Sequence, residues 1–262
     1  MNGAESAPFS CLPEVLRGMW SYWVRAAGVM FITLAGTSAH AGIVLSATRV
    51  IYPEQDKEAT LSVHNNNKSE ILLQSWIETA EEGEEGSSFA IVPPLTRVSG
   101  GGRQTVRVIH SGAPMPVDRE SMFWLNIQEI PQVAEHESAL QIGIRQRIKL
   151  FYRPRALKSD PVEAPSQLRW NLQEQGKLHV VNPGPYHVTL VNIEVSDRAA
   201  NATKEKNVML SPGQAAHFAL QGVAKDGAAL LKFSSINDHG ALVPYQVNLN
   251  GWNSGRVAQA IQ

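Results

Sequence analysis

The chain has one cysteine, Cys11, and it stands ahead of the only long apolar run. A disulfide framework and a thiolate zinc site are therefore excluded. The eight histidines never bracket a glutamate at i, i+4 spacing, so a histidine-based zinc site is not expected either. No G-x-S-x-G elbow occurs. The cluster Gly100-Gly101-Gly102-Arg103 lacks the Lys-Ser/Thr ending of a phosphate loop and leads into a strand pattern, so it reads as a turn. No nucleophile–base pair can be named. The expectation is a chain that is not an enzyme, with no metal and no cofactor. Charge of one sign is also missing. Twenty-three Lys and Arg residues face 24 Asp and Glu, a net charge of −1, which gives no support to nucleic-acid binding. No amphipathic helix of useful length is visible.

What the sequence does have begins with an export signal. Arg17 and Arg25 precede the apolar run Ala26–Gly36, and Ala39-His40-Ala41 forms a small-x-small cleavage site before Gly42. The run is shorter than the roughly 20 residues that span a bilayer, so cleavage is expected rather than anchoring. Glu5 and Glu14 are unusual ahead of such a run, and either Met1 or Met19 could be the start. Cleavage removes Cys11 and leaves a soluble, cysteine-free chain, long for one simple sandwich and comfortable for two.

Short runs with alternating or β-branched residues dominate the rest of the chain. They are Ile43–Tyr52, Ala59–Asn65, Leu72–Glu78, Gln104–His110, Ser121–Glu129 and Leu140–Tyr152. Turn residues separate them at Asn65-Asn66-Asn67, Ser99–Gly102 and Gly112–Pro116. The polar segment Arg155–Gln167, with Pro161 and Pro165, reads as an interdomain joint. Strands resume at Leu168–Leu172, Lys177–Asn182, Val188–Ser196, Val208–Leu210, Ala215–Leu220, Ala229–Ile236 and Val243–Leu249. The predicted class is all-β, as antiparallel sandwiches.

One strand stands out. In ALQIGIRQRIKLFYR, Ala139–Arg153, the residues Leu140, Ile142 and Ile144 alternate to make one apolar face. A strand of this kind at a sheet edge invites pairing with another chain. Arg49 and Lys149 add a second feature. If their strands run together toward the joint, two cations without a nearby carboxylate in the sequence would favour an anion such as a carboxylate. The plain alternative is two solvated surface charges.

These residues carry a resemblance. Asp118-Arg119-Glu120-Ser121-Met122-Phe123-Trp124-Leu125-Asn126-Ile127, closing with Ile130-Pro131, is similar to the signature of the periplasmic pilus chaperones of the chaperone–usher pathway, the PapD-like family. Ile148-Lys149-Leu150-Phe151-Tyr152-Arg153-Pro154 resembles the end of that family's long strand. Thr48-Arg49-Val50 resembles its first strand, Val92-Pro93-Pro94 falls in register, and Ile236-Asn237-Asp238-His239-Gly240 resembles a motif of its second domain. The likeness runs over essentially the whole mature chain. Gln132 departs from the small residue or proline usual there.

The resemblance implies two immunoglobulin-like β-sandwich domains in a boomerang arrangement. The implied boundaries are 1–41 for the signal peptide, 42–157 for the first domain and 158–262 for the second. It implies a periplasmic chaperone that binds, folds and caps pilin subunits by donor-strand complementation and delivers them to an outer-membrane usher. Leu140, Ile142 and Ile144 would enter the pilin groove. Arg49 and Lys149 would anchor the pilin's C-terminal carboxylate. Glu120, Arg153 and Asp238 would form an interdomain ion network that fixes geometry. The short loop Pro131–Ser138 resembles the subfamily serving rod-like pili. Counting by twos, Lys149 falls on the face opposite Leu140; a bulge or twist before the cleft could re-aim it, but the sequence does not show one. Self-association of the free chain through its apolar edge is also open. The competing readings are a two-domain adhesion or scaffold module, with Arg49 and Lys149 dispensable, and an exported hydrolase.

Overall fold

A computed structural model describes residues 42–79, 88–133, 141–173, 177–196, 203–205, 207–219, 228–250 and 259–260. The leader expected over residues 1–41, the residue Leu140 and most of the loop 131–138 lie outside the described residues. The strands obey the alternation. The first nine are β1 (Ile43–Leu45), β2 (Arg49–Pro53), β3 (Ala59–Asn65), β4 (Ile71–Thr79), β5 (Phe89–Val92), β6 (Leu95–Val98), β7 (Arg103–His110), β8 (Ser121–Pro131) and β9 (Arg145–Arg153). They form two sheets, in the order β1-β3-β7-β5 and β2-β9-β8-β4-β6. Period-two positions of both sheets bury a shared core that includes Leu61 and Val63 of β3, Val106 and Val108 of β7, Leu125 and Ile127 of β8, and Leu150 of β9.

A second set of strands comes after a 3-10 helix, Pro161–Gln167. These are β10 (Arg169–Gln173), β11 (Lys177–Val181), β12 (Val188–Ser196), β13 (Thr203–Glu205), β14 (Val208–Leu210), β15 (Ala215–Ala219), β16 (Ala228–Ile236), β17 (Leu242–Asn250) and β18 (Gln259–Ala260). One sheet runs β10-β11-β15, the other β13-β12-β16-β17-β18 with β14 on β12. Trp170, Leu178, Leu190, Ile193, Leu231 and Phe233 are among the side chains of this separate core. The molecule is thus built of two β-sandwiches, each with its own interior.

Three differences from the sequence-based expectation have physical causes. The run Ile43–Tyr52 is two strands in different sheets. The polar stretch Ser46-Ala47-Thr48 is exposed, and Ser46 closes β1 by exchanging hydrogen bonds with Ser62, the two distances being 2.9 and 3.0 Å. The segment expected as a linker, Arg155–Gln167, is partly architectural. The Asp160 side chain caps the 3-10 helix at the Val162 amide, 2.9 Å, and Ala164 and Pro165 are buried. In β12 the register slips between Val191 and Glu194, with Asn192 at φ 53°. That bulge moves the inward phase from Leu190 to Ile193 and Val195, which simple alternation does not foresee.

Both sandwiches close one end with the same device. The Asn65 side-chain amide donates to the carbonyls of Ser69, Val98 and Ser99 at 2.9–3.1 Å. The Asn182 amide donates to those of Tyr186, Leu210 and Ser211 at 2.7–3.1 Å. Both asparagines are buried, and each faces a glycine turn, Gly101 and Gly213, whose amide donates to the asparagine carbonyl. Leaving such carbonyls unpaired costs about 1–3 kcal/mol. Asn182→Ala should therefore lower unfolding free energy by that amount or more in urea titration, with no change in the second sandwich's strand content by circular dichroism.

Candidate functional site

The site is set by which way β9 faces. Its ladder with β8 runs without a slip from Ser121↔Tyr152 to Gln128↔Arg145. Strict alternation therefore holds. Ile148, Leu150 and Tyr152 point into the first core, and Lys149, Phe151 and Arg153 point out of it. Beside β9 lies β2, parallel and in register, with Arg49 opposite Lys149 and Pro53 opposite Arg153. Val50 and Tyr52 point inward, so Arg49 shares the outer face with Lys149. Neighbouring strands lie roughly 4.8 Å apart, which makes the two cations immediate neighbours.

This outer face meets the second sandwich. Arg153 donates from Nε to Glu120 at 2.7 Å and from its two terminal nitrogens to both oxygens of Asp238 at 2.6 and 2.7 Å. Glu120 also accepts from the His187 amide at 2.9 Å and contacts its Nδ1 at 2.8 Å. The Glu120 amide reaches Pro185 of the second sandwich at 2.9 Å. Asp238 is presented by a turn that Asn237 builds, its Oδ1 accepting from the His239 and Ala241 amides. Gly240 closes the turn at φ 81°, and a Cβ there would stand 2.6 Å from Thr48 Oγ1. Only glycine meets both demands. Residues from both sandwiches, among them Arg49, Phe151, Arg153, His187 and Asp238, line a cavity of about 70 Å³.

Charge is uneven here. Three cations, Arg49, Lys149 and Arg153, meet two carboxylates, Glu120 and Asp238, and Arg153 engages both. Burial works against the Arg153 charge, but its Asp238 hydrogen bonds and the Glu120 charge outweigh that and hold it above the ordinary arginine value. Arg49 donates to the Ile236 carbonyl at 3.1 Å, while its buried Nε has no partner. Burial pushes Arg49 down despite the fields of Asp238 and Glu120. Lys149 makes no hydrogen bond or ion pair among the described residues, and its ammonium lies 6.0 Å from the Trp124 ring centre. Burial, then the Arg49 charge, push it below the ordinary lysine value. Two adjacent cations are thus each partly desolvated and short of acceptors. A carboxylate would supply acceptors to both.

The apolar stripe lies at the far end of the same strand. Ile142 and Ile144 continue the inward-facing phase of β9 at the sheet edge, ahead of its paired part, and are 68% and 39% exposed. The long strand expected over Leu140–Tyr152 is thus shorter in its paired part. Its ladder begins at Arg145, while β8 runs on to Pro131 paired with β4 on its other edge, and the Ile144 carbonyl accepts from the Glu129 amide at 3.0 Å. From Arg145 to Ile148, β9 has no second neighbour among the described strands, since β2 starts at Arg49 opposite Lys149. No bulge re-aims Lys149 in β9. Lys149 and the isoleucines need opposite faces, and plain alternation gives them.

Glu120, Arg153 and Asp238, named from the sequence, do meet in one network. Arg49 and Lys149 do stand side by side. Sequence reasoning misses His187, which comes just after Pro185-Tyr186 at a turn, and Thr48 beneath Gly240. It also misses an outer ladder in which Arg145 and Arg147 pair with Glu78 at 2.7 and 3.1 Å and lie over Trp76 and Trp124. Cross-strand register creates the outer ladder, and contacts between loops of the two sandwiches create the other two, neither of which a single-strand pattern reveals.

Arg153→Met leaves Glu120 buried without its cation and should cost about 3–5 kcal/mol in chemical denaturation. Adding Glu120→Gln to that variant should recover part of the loss. Lys149 binds fewer protons folded than unfolded between its lowered value and the ordinary one. Stability of the free chain should therefore rise with pH across that alkaline interval. Lys149→Met should remove the rise, as read by urea midpoints over a pH series.

Comparison with known proteins identifies the family. Residues 42–158 match the family described as pili and flagellar-assembly chaperone, PapD N-terminal domain, and residues 163–247 match the pili assembly chaperone PapD, C-terminal domain. The chain is 37% identical over 234 residues to the chaperone protein FimB/FhaD of Bordetella pertussis, covering 85% of this chain and 94% of that one. It is 37% identical over 230 residues to the probable fimbrial chaperone SfmC of Escherichia coli, covering 85% and 96%. Among solved structures, the YadV chaperone superposes with a TM-score of 0.69 at 32% identity, over 80% of this chain and 100% of that one. The Salmonella enterica SafB chaperone, solved in complex with the SafA pilin, gives 0.67 at 28% identity, over 81% and 99%. Two cores, two cations at their junction and two family matches in tandem lead to one conclusion: the chain belongs to the PapD family of pilus-assembly chaperones.

Proposed function

We propose that this chain captures pilin subunits one at a time in the periplasm, completes their fold with its own strand, and hands them to an outer-membrane usher. The observation that carries the reading is the pairing of an anion-seeking end and an apolar end on one strand. Arg49 and Lys149 stand unmatched at the junction of the sandwiches, and Ile142 and Ile144 stand exposed beside an open strand edge. A subunit lacking one strand of its sandwich offers the complement. Its C-terminal carboxylate would dock on the cations, its edge would accept the main chain of β9, and its groove would take the isoleucines, with Leu140 as the next residue in phase. The carboxylate fixes register, and register decides which side chains meet the groove.

The magnitudes suit reversible capping. Burying an isoleucine is worth roughly 1.5–3 kcal/mol. Two or three such contacts, plus edge hydrogen bonds, hold a subunit until another strand replaces them. No step requires nucleotide or catalysis, since the subunit's own unfinished folding supplies the driving force. Glu120, Arg153 and Asp238 serve as positioning residues that hold the two sandwiches around the anchor. In this reading the leader ending at Ala41 is removed on export, and the mature domains run 42–157 and 158–262.

Expression of the tagged protein with its pilus genes, with affinity purification from the periplasm and mass spectrometry, tests the proposal. Small pilin-type subunits should co-purify with the wild type and be lost with Lys149→Ala. Ile144→Asp should weaken capture of a purified subunit by about tenfold or more while leaving the free chain folded. Equal capture by all three proteins would instead favour a scaffold module that binds through its loops.

A further inference from the structure

At the far end of the first sandwich, away from the cation pair, a carboxylate is buried where the core phase calls for a hydrophobe. Phe123, Leu125, Ile127 and Glu129 occupy successive inward positions of β8. Glu129 is 4% exposed, and its Oε2 is buried without a hydrogen-bond partner. It forms no ion pair among the described residues. Burial pushes its carboxyl above the ordinary glutamate value, against the pull of the Ile144 backbone and the Asn67 side chain. A lone buried carboxylate is costly unless a cation or a donor meets it.

The group packed on that carboxylate is Gly42. A Cβ on Gly42 would stand 2.1 Å from Oε2 and 2.4 Å from Oε1, so the glycine's bare Cα lies against the carboxylate. Gly42 is itself buried, and its carbonyl accepts from the Asn66 amide at 2.9 Å, which fixes its place. Ile43 is held in turn by the Gln146 side chain, which donates to its carbonyl at 2.7 Å. The α-nitrogen of Gly42 is one bond from the Cα that touches Glu129.

We propose that Glu129 is the receptor for the mature N-terminus: removal of the leader after Ala41 converts the Gly42 amide nitrogen into an ammonium that pairs with the Glu129 carboxylate. The pairing rests on the proposed cleavage after Ala41, and not on pilin capture. Hydrolysis of the Ala41–Gly42 bond leaves a carboxylate on the departing leader and supplies the ammonium on Gly42. In the uncut chain Glu129 has no charge partner among the described residues. In the cut chain the pair closes the end of the core beside Ile144, where the donor segment leaves the sandwich. Processing then stabilises the sandwich as well as releasing it. Glycine at position 42 supplies the absent Cβ that lets the carboxylate approach.

The test compares two purified proteins, one beginning at Gly42 and one retaining Ala41 ahead of it, each with and without Glu129→Gln. The Gly42-first protein should melt higher, by about 5 °C or more, and Glu129→Gln should abolish that difference. The mass of the exported protein should correspond to Gly42 as first residue. If Gln proves too disruptive, acetylation of the Gly42 amine in the otherwise unaltered protein should lower the melting temperature to that of the Ala41-retaining form. Equal melting temperatures for the two starts, or a Glu129→Gln loss that is the same in both, would overturn the pairing. An exported protein beginning elsewhere would overturn the cleavage on which it rests. Neither result bears on subunit capture.

Discussion

The structure turns on how one guanidinium is shared. Arg153 engages Glu120 of its own sandwich and Asp238 of the second, through short charge-assisted hydrogen bonds. That leaves neither carboxylate free to neutralise Arg49 or Lys149, although both sit close enough to be felt by Arg49. The network therefore does two things at once. It ties the Asn237–Gly240 turn onto the β2–β9 face, and it withholds acceptors from the neighbouring cations. A buried ion network is weak as a source of stability. Here its consequence is electrostatic, because it leaves positive charge beside it without a carboxylate partner among the described residues.

Strand parity then distributes the work along β9. Consecutive residues point to opposite faces, so one strand can serve its own core with Leu150 and Tyr152 and the inter-sandwich face with Lys149 and Arg153. Ahead of the paired part of the strand the inward phase continues as Ile142 and Ile144, left largely or partly exposed at the sheet edge. The exposed stripe is thus an extension of the protein's own core pattern. A partner that accepts it would be completed by the interior of its chaperone.

Much of this is legible in the sequence, and for physical reasons. Alternation locates most strands to within a residue or two, because each sandwich strand has one buried face. Two separate cores are implied by the polar, proline-bearing stretch between the strand sets. The site residues Arg49, Lys149, Glu120, Arg153 and Asp238 come through resemblance, and the alternation alone leaves Arg49 and Lys149 as two unplaced charges. What escapes the sequence depends on register and bulges. The parallel alignment of Arg49 with Lys149, the slip at Asn192, and the approach of His187 to Glu120 join residues far apart in the chain. The sequence shows no bulge near Lys149, and none is needed, but it hides the one that occurs in β12. Glu129 reads in the sequence as one more polar residue at a strand end, and only its inward phase and the nearness of Gly42 set it apart.

The central claim is that Arg49 and Lys149 hold a subunit's terminal carboxylate. The direct measurement is a double-mutant cycle on capture of a purified pilin subunit. It pairs wild type and Lys149→Ala with subunits ending in a free carboxylate or a carboxamide. The account predicts that amidation weakens binding to the wild type by tenfold or more and adds little to the loss already caused by Lys149→Ala. Independent, multiplicative losses would show that the lysine and the carboxylate do not meet, and would contradict it.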